Sequence, residues 1–313
     1  MLANLHLRIS RLITEQAAVM IYAAIIGLGG GYGAVGFRKL IDGVTYVFYG
    51  RSQTELSAYV LGIRTLFMPA VGGLLVGLLV YFFAREAKGH GVPEVMFAVT
   101  EKKGVIRPRI VVAKAAASAI SIGSGGSVGR EGPIVQIGSA WGSTFGQLFG
   151  IGETNLKILV ACGAAAGVAG TFNAPIGGAL FASEIILGSF TITNLSAIVI
   201  ASVLSAAIGR LYLGNVPSFP IPHYEVNGIA VLLIFLVLGL LGGFFSLLYM
   251  KTLLFFEMQW DRLKALPEWL KPALGGLIVG ICGYWYPQIL GVGYPSVERA
   301  LAINSISVFC SRC

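Results

Sequence analysis

The chain has 313 residues, of which 56% are hydrophobic and only 12% are charged, and its mean hydropathy is +0.82. Soluble domains carry about 25% charged residues, so this composition excludes an ordinary soluble protein. The 43 glycines are typical of membrane helices, in which small residues let two backbones approach closely. The net charge of +8 comes from basic residues in the loops between apolar runs, so it does not indicate nucleic-acid binding.

Long apolar runs follow one another along the chain and predict an all-α, multi-pass membrane protein. They cover residues 17–36, 66–84, 110–122, 158–187, 195–213, 229–250 and 274–286. A straight crossing of the bilayer needs about 20 apolar residues, and several of the runs are shorter than this. Gly and Pro interrupt others, and short, broken hydrophobic segments are typical of half-helices that line a transport site. We therefore predict tilted and broken helices in a lipid bilayer.

Basic residues lie in two parts of the chain and set the predicted orientation. Arg8 and Arg11 precede the first apolar run. A second basic group follows the second run: Arg85, Lys88, Lys102, Lys103, Arg107 and Arg109. The loop over residues 42–64 is poorer in Lys and Arg, so the positive-inside rule places the N-terminus and residues 85–109 in the cytoplasm. Residues 1–15 are predicted to form a cytoplasmic interfacial helix, because no small-residue cleavage site follows them.

The cysteines do not indicate a metal site or a disulfide framework. Cys162 and Cys282 lie in apolar runs, where packing is their ordinary role. Cys310 and Cys313 form a lone CxxC without a second pair of ligands. We predict no metal and no cofactor.

An internal repeat organises the chain. Residues 69–77, Pro-Ala-Val-Gly-Gly-Leu-Leu-Val-Gly, recur at 272–280 as Pro-Ala-Leu-Gly-Gly-Leu-Ile-Val-Gly. A second pair, Gly-His-Gly-Val-Pro-Glu-Val at 89–95 and Gly-Val-Gly-Tyr-Pro-Ser-Val at 291–297, recurs at nearly the same offset. Ordered matches at one offset predict two homologous halves with the transport site at their interface.

The repeat also predicts the domain organisation. A first membrane repeat covers residues 16–213, a connecting loop covers 214–228, and a partial second repeat covers 229–303. The counterpart of the glycine-rich loop at 123–133 would fall beyond residue 313, so the second half is predicted to be incomplete. The polar tail at 304–313 loses the apolar pattern and is predicted to be a truncation scar.

Three segments rich in Gly and Pro predict helix starts within the membrane. Residues 123–133 read Gly-Ser-Gly-Gly-Ser-Val-Gly-Arg-Glu-Gly-Pro, residues 89–94 read Gly-His-Gly-Val-Pro-Glu, and residues 172–175 read Phe-Asn-Ala-Pro. Proline suits the first turn of a helix. A helix N-terminus carries partial positive charge and free N–H donors, so it attracts an anion. Partial charges bind an anion with the moderate affinity that rapid permeation requires.

Glu131 lies in the middle of this predicted anion site, where a fixed negative charge would repel the ligand. An acidic residue within a membrane indicates a functional role. The carboxylate can occupy the position of the anion and bond the same amides, and protonation or displacement by the anion would move it away. Glu131 is therefore predicted to be a gate and a proton carrier. The alternative from spacing alone is a structural pair of Glu131 with Arg130 at a loop surface.

The segments Gly129-Arg130-Glu131-Gly132-Pro133 and Gly89-His90-Gly91-Val92-Pro93-Glu94 resemble two signature motifs of the CLC family of chloride channels and chloride/proton antiporters. Lys114 and the stretch from Ala164 to Pro175 resemble the family as well. The resemblance spans residues 15–300 and implies an inverted-repeat homodimer with one pore per subunit. It implies that Glu131 is the external gating glutamate of a voltage- or pH-gated chloride pathway. The anion-binding residues implied are His90, Gly91, Gly129, Arg130, Glu131 and Gly132.

The chain departs from the family pattern at three places. His90 stands where many members carry a serine that coordinates the anion, and an imidazole N–H is a possible donor. Ile185 stands where antiporters carry an internal proton-relay glutamate, so channel-like or uncoupled transport is favoured unless Glu184 substitutes. The Gly-x-Phe-x-Pro motif and the late coordinating tyrosine of the family are not in this sequence.

The sequence has several readings other than chloride transport. A nucleotide-binding enzyme is excluded by context, because residues 123–129 lack a Gly-Lys-Ser/Thr ending and lie between membrane runs. A non-transporting remnant stays an alternative because half of the site is missing. Fluoride-selective relatives replace the proline of the Glu131 loop, so Pro133 favours chloride, whereas the unusual His90 leaves nitrate open. A chloride/proton antiporter that uses Glu184 is the remaining alternative.

Overall fold

The computed structural model describes residues 14–51, 62–83, 89, 91–215, 229–263 and 266–301. The predicted interfacial helix at 1–15, the connecting loop at 214–228 and the tail at 304–313 lie almost wholly outside these ranges, as does His90. Within the described ranges every regular element is a helix, which confirms the predicted all-α fold.

A helical segment covers residues 294–301, and ten α-helices precede it along the described parts of the chain. They are α1 (Glu15–Tyr49), α2 (Ile63–Phe83), α3 (Val92–Thr100), α4 (Arg109–Gly123), α5 (Glu131–Phe149), α6 (Glu153–Phe172), α7 (Pro175–Phe181), α8 (Ile192–Leu213), α9 (Ile229–Arg262) and α10 (Lys271–Trp285). A π-helical segment, Ala182–Leu187, continues α7, and a short 3₁₀ turn, Pro287–Ile289, follows α10. Helices as short as α3 and α7 confirm that broken segments stand among the long ones.

Five helices in the described residues are long and apolar enough to cross a membrane: α1, α2, α6, α8 and residues 231–262 of α9. Shorter apolar helices cover residues 111–123 and 175–187. α1 has 35 residues and is therefore roughly 50 Å long, which exceeds the hydrocarbon thickness of a bilayer. It continues past the predicted run into residues 42–49, because Ile41, Thr45 and Tyr49 form a buried face at helical spacing.

The chain divides into two compact units. The first unit contains residues 1–220 and 269–299, and the second contains residues 221–268 and 300–313. The first unit holds α1 to α8 together with α10, and the second holds α9. These units do not share the boundaries of the two sequence repeats, so the division into repeats stays a prediction.

Glycine faces hold the helices of the first unit together. α5 and α6 run antiparallel, and a Cβ on Gly138 would collide with the Gly163 carbonyl, while a Cβ on Gly163 would collide with the Gly138 carbonyl. In the same interface, a Cβ on Gly142 would collide with the Leu159 carbonyl. Because no side chain separates these backbones, the two helices pack at close range, and this explains part of the high glycine content.

The two copies of the longest repeat pack on one another in a reciprocal way. Gly73 of α2 lies against the Pro272 carbonyl of α10, and Gly276 of α10 lies against the Pro69 carbonyl of α2. Residues 73 and 276, like 69 and 272, are equivalent positions of the repeat. Equivalent residues that exchange contacts between antiparallel helices are related by a local twofold axis, as inverted repeats require.

This packing predicts opposite outcomes for two adjacent glycines of α10. A Cβ on Gly276 would collide with Pro69, whereas a Cβ on Gly275 would meet no atom within 4 Å. Gly276→Ala is expected to lower the free energy of unfolding by about 1–3 kcal/mol, the usual range for overpacking. Gly275→Ala is expected to leave it unchanged or to raise it slightly, since alanine favours the helix. Thermal unfolding of the purified protein in detergent measures both; equal effects would contradict the packing.

Candidate functional site

The glycine-rich loop before α5 is fixed to its neighbours at one end. The Tyr49 hydroxyl of α1 donates a hydrogen bond of 2.7 Å to the backbone carbonyl of Ser124. Gly125 follows with a φ of +96°, and a side chain there would approach the Tyr49 oxygen to 2.7 Å. The backbone N–H of Gly126 donates to the Ser121 carbonyl at 2.9 Å. These contacts set the path of the chain into the next helix.

α5 begins at Glu131, as the sequence predicted for this loop. The carbonyl of Arg130 accepts from the N–H of Ile134 at 3.1 Å, which is the first turn of the helix. The N–H groups of the first turn have no partner within a helix, and Pro133 has none to offer. The backbone N–H groups of Glu131 and Gly132 therefore form the electropositive end of α5.

α3 begins after a second glycine loop. Gly91 precedes it with a φ of +91°, a conformation that favours glycine. The carboxylate of Glu94 accepts from the Gly91 N–H at 2.6 Å, so this amide is already bonded inside its own turn. The buried Lys114 of α4 donates to the Gly89 carbonyl at 2.8 Å and holds the other side of the loop.

The two glycine loops touch through their backbones. A Cβ on Gly91 would lie 2.5 Å from the Gly132 carbonyl oxygen and 3.0 Å from the Gly132 Cα. The starts of α3 and α5, which lie far apart in the sequence, are therefore in van der Waals contact. Only a residue without a side chain permits this distance at position 91.

The third predicted helix start directly follows α6. Asn173 ends α6 in the left-handed conformation, with a φ of +54°, and α7 begins at Pro175. Arg210 of α8 donates from Nε to the Asn173 side-chain oxygen at 2.6 Å, and the Asn173 amide donates to Asn215 at 3.2 Å. This clamp fixes the turn that follows Phe172.

Arg130 is buried between two aromatic rings. Its guanidinium carbon lies 5.5 Å from the centre of the Phe172 ring and 4.6 Å from the centre of the Tyr294 ring, and the residue is 7% exposed. Both distances are typical of cation–π contacts. Its Nε is buried and has no hydrogen-bond partner among the described residues. A buried donor without a partner is uncommon in folded proteins.

The Glu131 carboxylate bends back over the loop that precedes its helix. Its Oε2 occupies the space where a side chain on Gly129 would lie. Its Oε1 accepts a hydrogen bond of 2.5 Å from the Tyr294 hydroxyl. A tyrosine hydroxyl is protonated at neutral pH, so it is the donor in this bond. Glu131 as a whole is exposed on this chain.

The structure brings five of the predicted site residues together. Gly91, Gly129, Arg130, Glu131 and Gly132 lie at the adjoining starts of α3 and α5. Their role in anion binding stays a prediction.

Two predicted site residues remain, His90 and Glu184. His90 lies outside the described residues. Glu184 and Ile185 are exposed on the π-helical segment after α7, and no hydrogen bond joins Glu184 to Glu131 in the described part of the chain. The predicted proton path from Glu131 to Glu184 is therefore untested.

Tyr294 is the residue that sequence reasoning missed. It lies in the second copy of the Gly-x-Gly-x-Pro motif, at the position that Val92 holds in the first copy. The repeat placed this copy near the interface of the two halves, but nothing in the local sequence linked its aromatic ring to Arg130 or its hydroxyl to Glu131. The available signal was the repeated motif: its first copy contains Gly91 and its second copy contains Tyr294, and both copies lie at the start of α5.

Known proteins resemble this chain over most of its length. A ClcB-like protein of Ralstonia nicotianae is 33% identical over 287 residues, which cover 89% of this chain and 66% of that protein. The chloride channel protein CLC-f of Arabidopsis thaliana is 29% identical over 306 residues, which cover 91% of this chain and 38% of that protein. The chain thus spans less than two thirds of the length of these relatives.

Solved structures show the same fold. A slow cyanobacterial Cl⁻/H⁺ antiporter matches with a TM-score of 0.79 and 26% identity, over 96% of this chain and 72% of the other. A CLC-type fluoride/proton antiporter matches with a TM-score of 0.76 and 22% identity, over 88% of this chain and 68% of the other. The family model described as voltage gated chloride channel matches residues 72–310. The chain is therefore a member of the CLC family of voltage-gated chloride channels.

Proposed function

We propose that the protein carries chloride across a membrane through the site at the adjoining starts of α3 and α5, with Glu131 as its gate. The observation that supports this most is the backbone contact of Gly91 with Gly132, since it brings two helix N-termini to one place. Their first-turn amides supply partial positive charge, and the unpaired Nε of Arg130 adds a donor beside them. The site thus offers an anion several donors.

Glu131 acts in this proposal by competing with the anion. The carboxylate begins α5 and carries the same charge as the ligand, so it and the anion favour the same electropositive position. When Glu131 is protonated or displaced, the position is free for chloride. Flux then rises as the external pH falls, because the neutral carboxyl group competes less strongly for backbone donors.

The transport mode follows from the residues after α7. Ile185 replaces the relay glutamate that the antiporters of the family carry, so we infer channel-like or uncoupled chloride movement with little stoichiometric proton flow. The alternative is chloride/proton exchange that uses Glu184. The similarity to a cyanobacterial Cl⁻/H⁺ antiporter supports this alternative. If chloride and protons cross the membrane of protein-containing vesicles in a fixed ratio, the protein is an exchanger.

The proposed orientation places the N-terminus in the cytoplasm. Glu15 accepts from Asn155 at 2.6 Å, and Ser143 accepts from the N–H of Ile106 at 2.8 Å, so the start of α1 and the basic loop lie at one end of α5 and α6. α5 is roughly 28 Å long, and Glu131 lies at its other end. With the basic loop inside, Glu131 faces outward, as expected of an external gate. We also propose a homodimer with one pore per subunit.

Chloride efflux from liposomes tests the function. We expect the purified protein to release chloride from loaded vesicles faster than protein-free vesicles do, with flux increasing at low external pH. Competing fluoride and nitrate rank the anions, and we expect chloride to pass better than fluoride because Pro133 is present. Proton uptake is recorded in parallel. Vesicles that release no chloride at any pH between 4 and 8 would contradict the proposed function.

A further inference from the structure

We propose that Tyr294 is a positioning residue that latches the gate: its hydroxyl holds the Glu131 carboxylate in the blocking position while its ring holds Arg130. This inference rests on the proposed function and extends it to a residue of the second repeat. The latch acts through Glu131 and does not require contact between Tyr294 and the transported anion.

A hydrogen bond joins Tyr294 to the gating carboxylate. The Tyr294 hydroxyl lies 2.5 Å from Oε1 of Glu131, and the other carboxylate oxygen lies over Gly129. A hydroxyl that donates to a carboxylate favours its charged form. The charged form is the one that competes with an anion, so this bond stabilises the blocked state of the site.

The Tyr294 ring makes a separate contact with Arg130. One face of Tyr294 lies 4.6 Å from the guanidinium of Arg130, the residue directly before Glu131. The guanidinium also contacts Phe172, the last residue of α6. Tyr294 therefore bonds the carboxylate and stacks on its neighbour at once, and the ring fixes the direction in which the hydroxyl points.

Tyr294 belongs to the second copy of the glycine–proline motif. Gly91 of the first motif copy touches Gly132 through backbone alone, whereas the second copy reaches the adjacent Glu131 through a side chain. Both copies thus meet the start of α5, but only the second provides a side-chain hydroxyl donor to Glu131. A valine in place of Tyr294, as in the first copy, has no such donor.

Other charged groups around α5 are already engaged. Arg38 and Asp42 of α1 lie close enough to Arg130 for their charges to act on it and on each other. Glu94 of α3 bonds the Gly91 N–H, and Lys114 of α4 bonds the Gly89 carbonyl. Glu153 and Lys157 pair at 3.0 Å at the start of α6, whereas Phe172 lies at the end of that helix. Among the described residues, Tyr294 is the side chain that bonds the Glu131 carboxylate directly.

Tyr294→Phe tests the latch because it removes the hydroxyl and keeps the ring on Arg130. We expect the midpoint of chloride flux against external pH to move upward by about one unit, the equivalent of a tenfold change in proton concentration. Calorimetric titration of the detergent-solubilised protein with chloride is expected to show roughly tenfold tighter binding, since the competitor is held less firmly. Tyr286→Phe is the matched control, because Tyr286 is exposed at the end of α10.

A second comparison separates the latch from a general effect on the fold. In the Glu131→Gln background, Tyr294→Phe is expected to change neither flux nor its pH dependence. A shift of the same size in both backgrounds would overturn the latch, because the effect would not pass through Glu131. A Tyr294→Phe variant equal to the wild type, with Glu131→Gln still insensitive to pH, would overturn the latch alone. Wild-type protein without chloride flux would overturn the proposed function and the latch with it.

Discussion

Glu131→Gln is expected to give constant chloride flux between external pH 4 and 8, at or above the highest rate of the wild type. The glutamine side chain has the size of the carboxyl group but no charge, so it competes weakly with an anion for the amides at the start of α5. It also cannot lose a proton, so any proton movement that depends on position 131 stops. Chloride efflux and proton uptake from the same vesicles measure both effects.

A distant carboxylate supplies the control. Glu101→Gln changes an exposed glutamate that ends α3, and we expect it to keep the pH dependence of the wild type. If Glu131→Gln also keeps that dependence, the gate lies elsewhere and the competition between carboxylate and anion is wrong. If flux is lost in Glu131→Gln while the protein remains folded, the carboxylate is needed for transport in a way that the proposal does not include.

Gly91→Ala is expected to reduce chloride flux at least tenfold and to lower the unfolding temperature. The added methyl group would lie 2.5 Å from the Gly132 carbonyl oxygen, so the starts of α3 and α5 have to separate. Overpacking of this kind costs about 1–3 kcal/mol, and the positive φ of +91° adds a backbone penalty. Flux falls because the donors of the two helix starts no longer meet at one position.

Gly188→Ala is the matched control for the backbone penalty. Gly188 also has a positive φ, +66°, but a Cβ there meets no atom within 4 Å. The variant is therefore expected to lose about 1 kcal/mol of stability while chloride flux stays close to that of the wild type. Equal losses of flux in the two variants would show that the contact between positions 91 and 132 has no special role.

Local sequence was sufficient for the helix starts. The predicted starts before Pro93, Pro133 and Pro175 are all present, because glycine and proline act on backbone angles within a single turn. The bounds of the long helices were less well predicted. α1 runs to Tyr49, beyond the apolar run that indicated it, since burial of Ile41, Thr45 and Tyr49 decides where it ends.

The sequence by itself determined the membrane class, the family motifs and the repeat, because composition, glycine spacing and recurring segments are properties of the chain before it folds. Only the tertiary structure decided that Gly91 lies on Gly132, that Arg130 is held between Phe172 and Tyr294, and that the Tyr294 hydroxyl reaches Glu131. These contacts join residues far apart in the chain. The distances between these residues depend on how closely the glycine-rich helix faces pack, and local sequence patterns do not specify that packing distance.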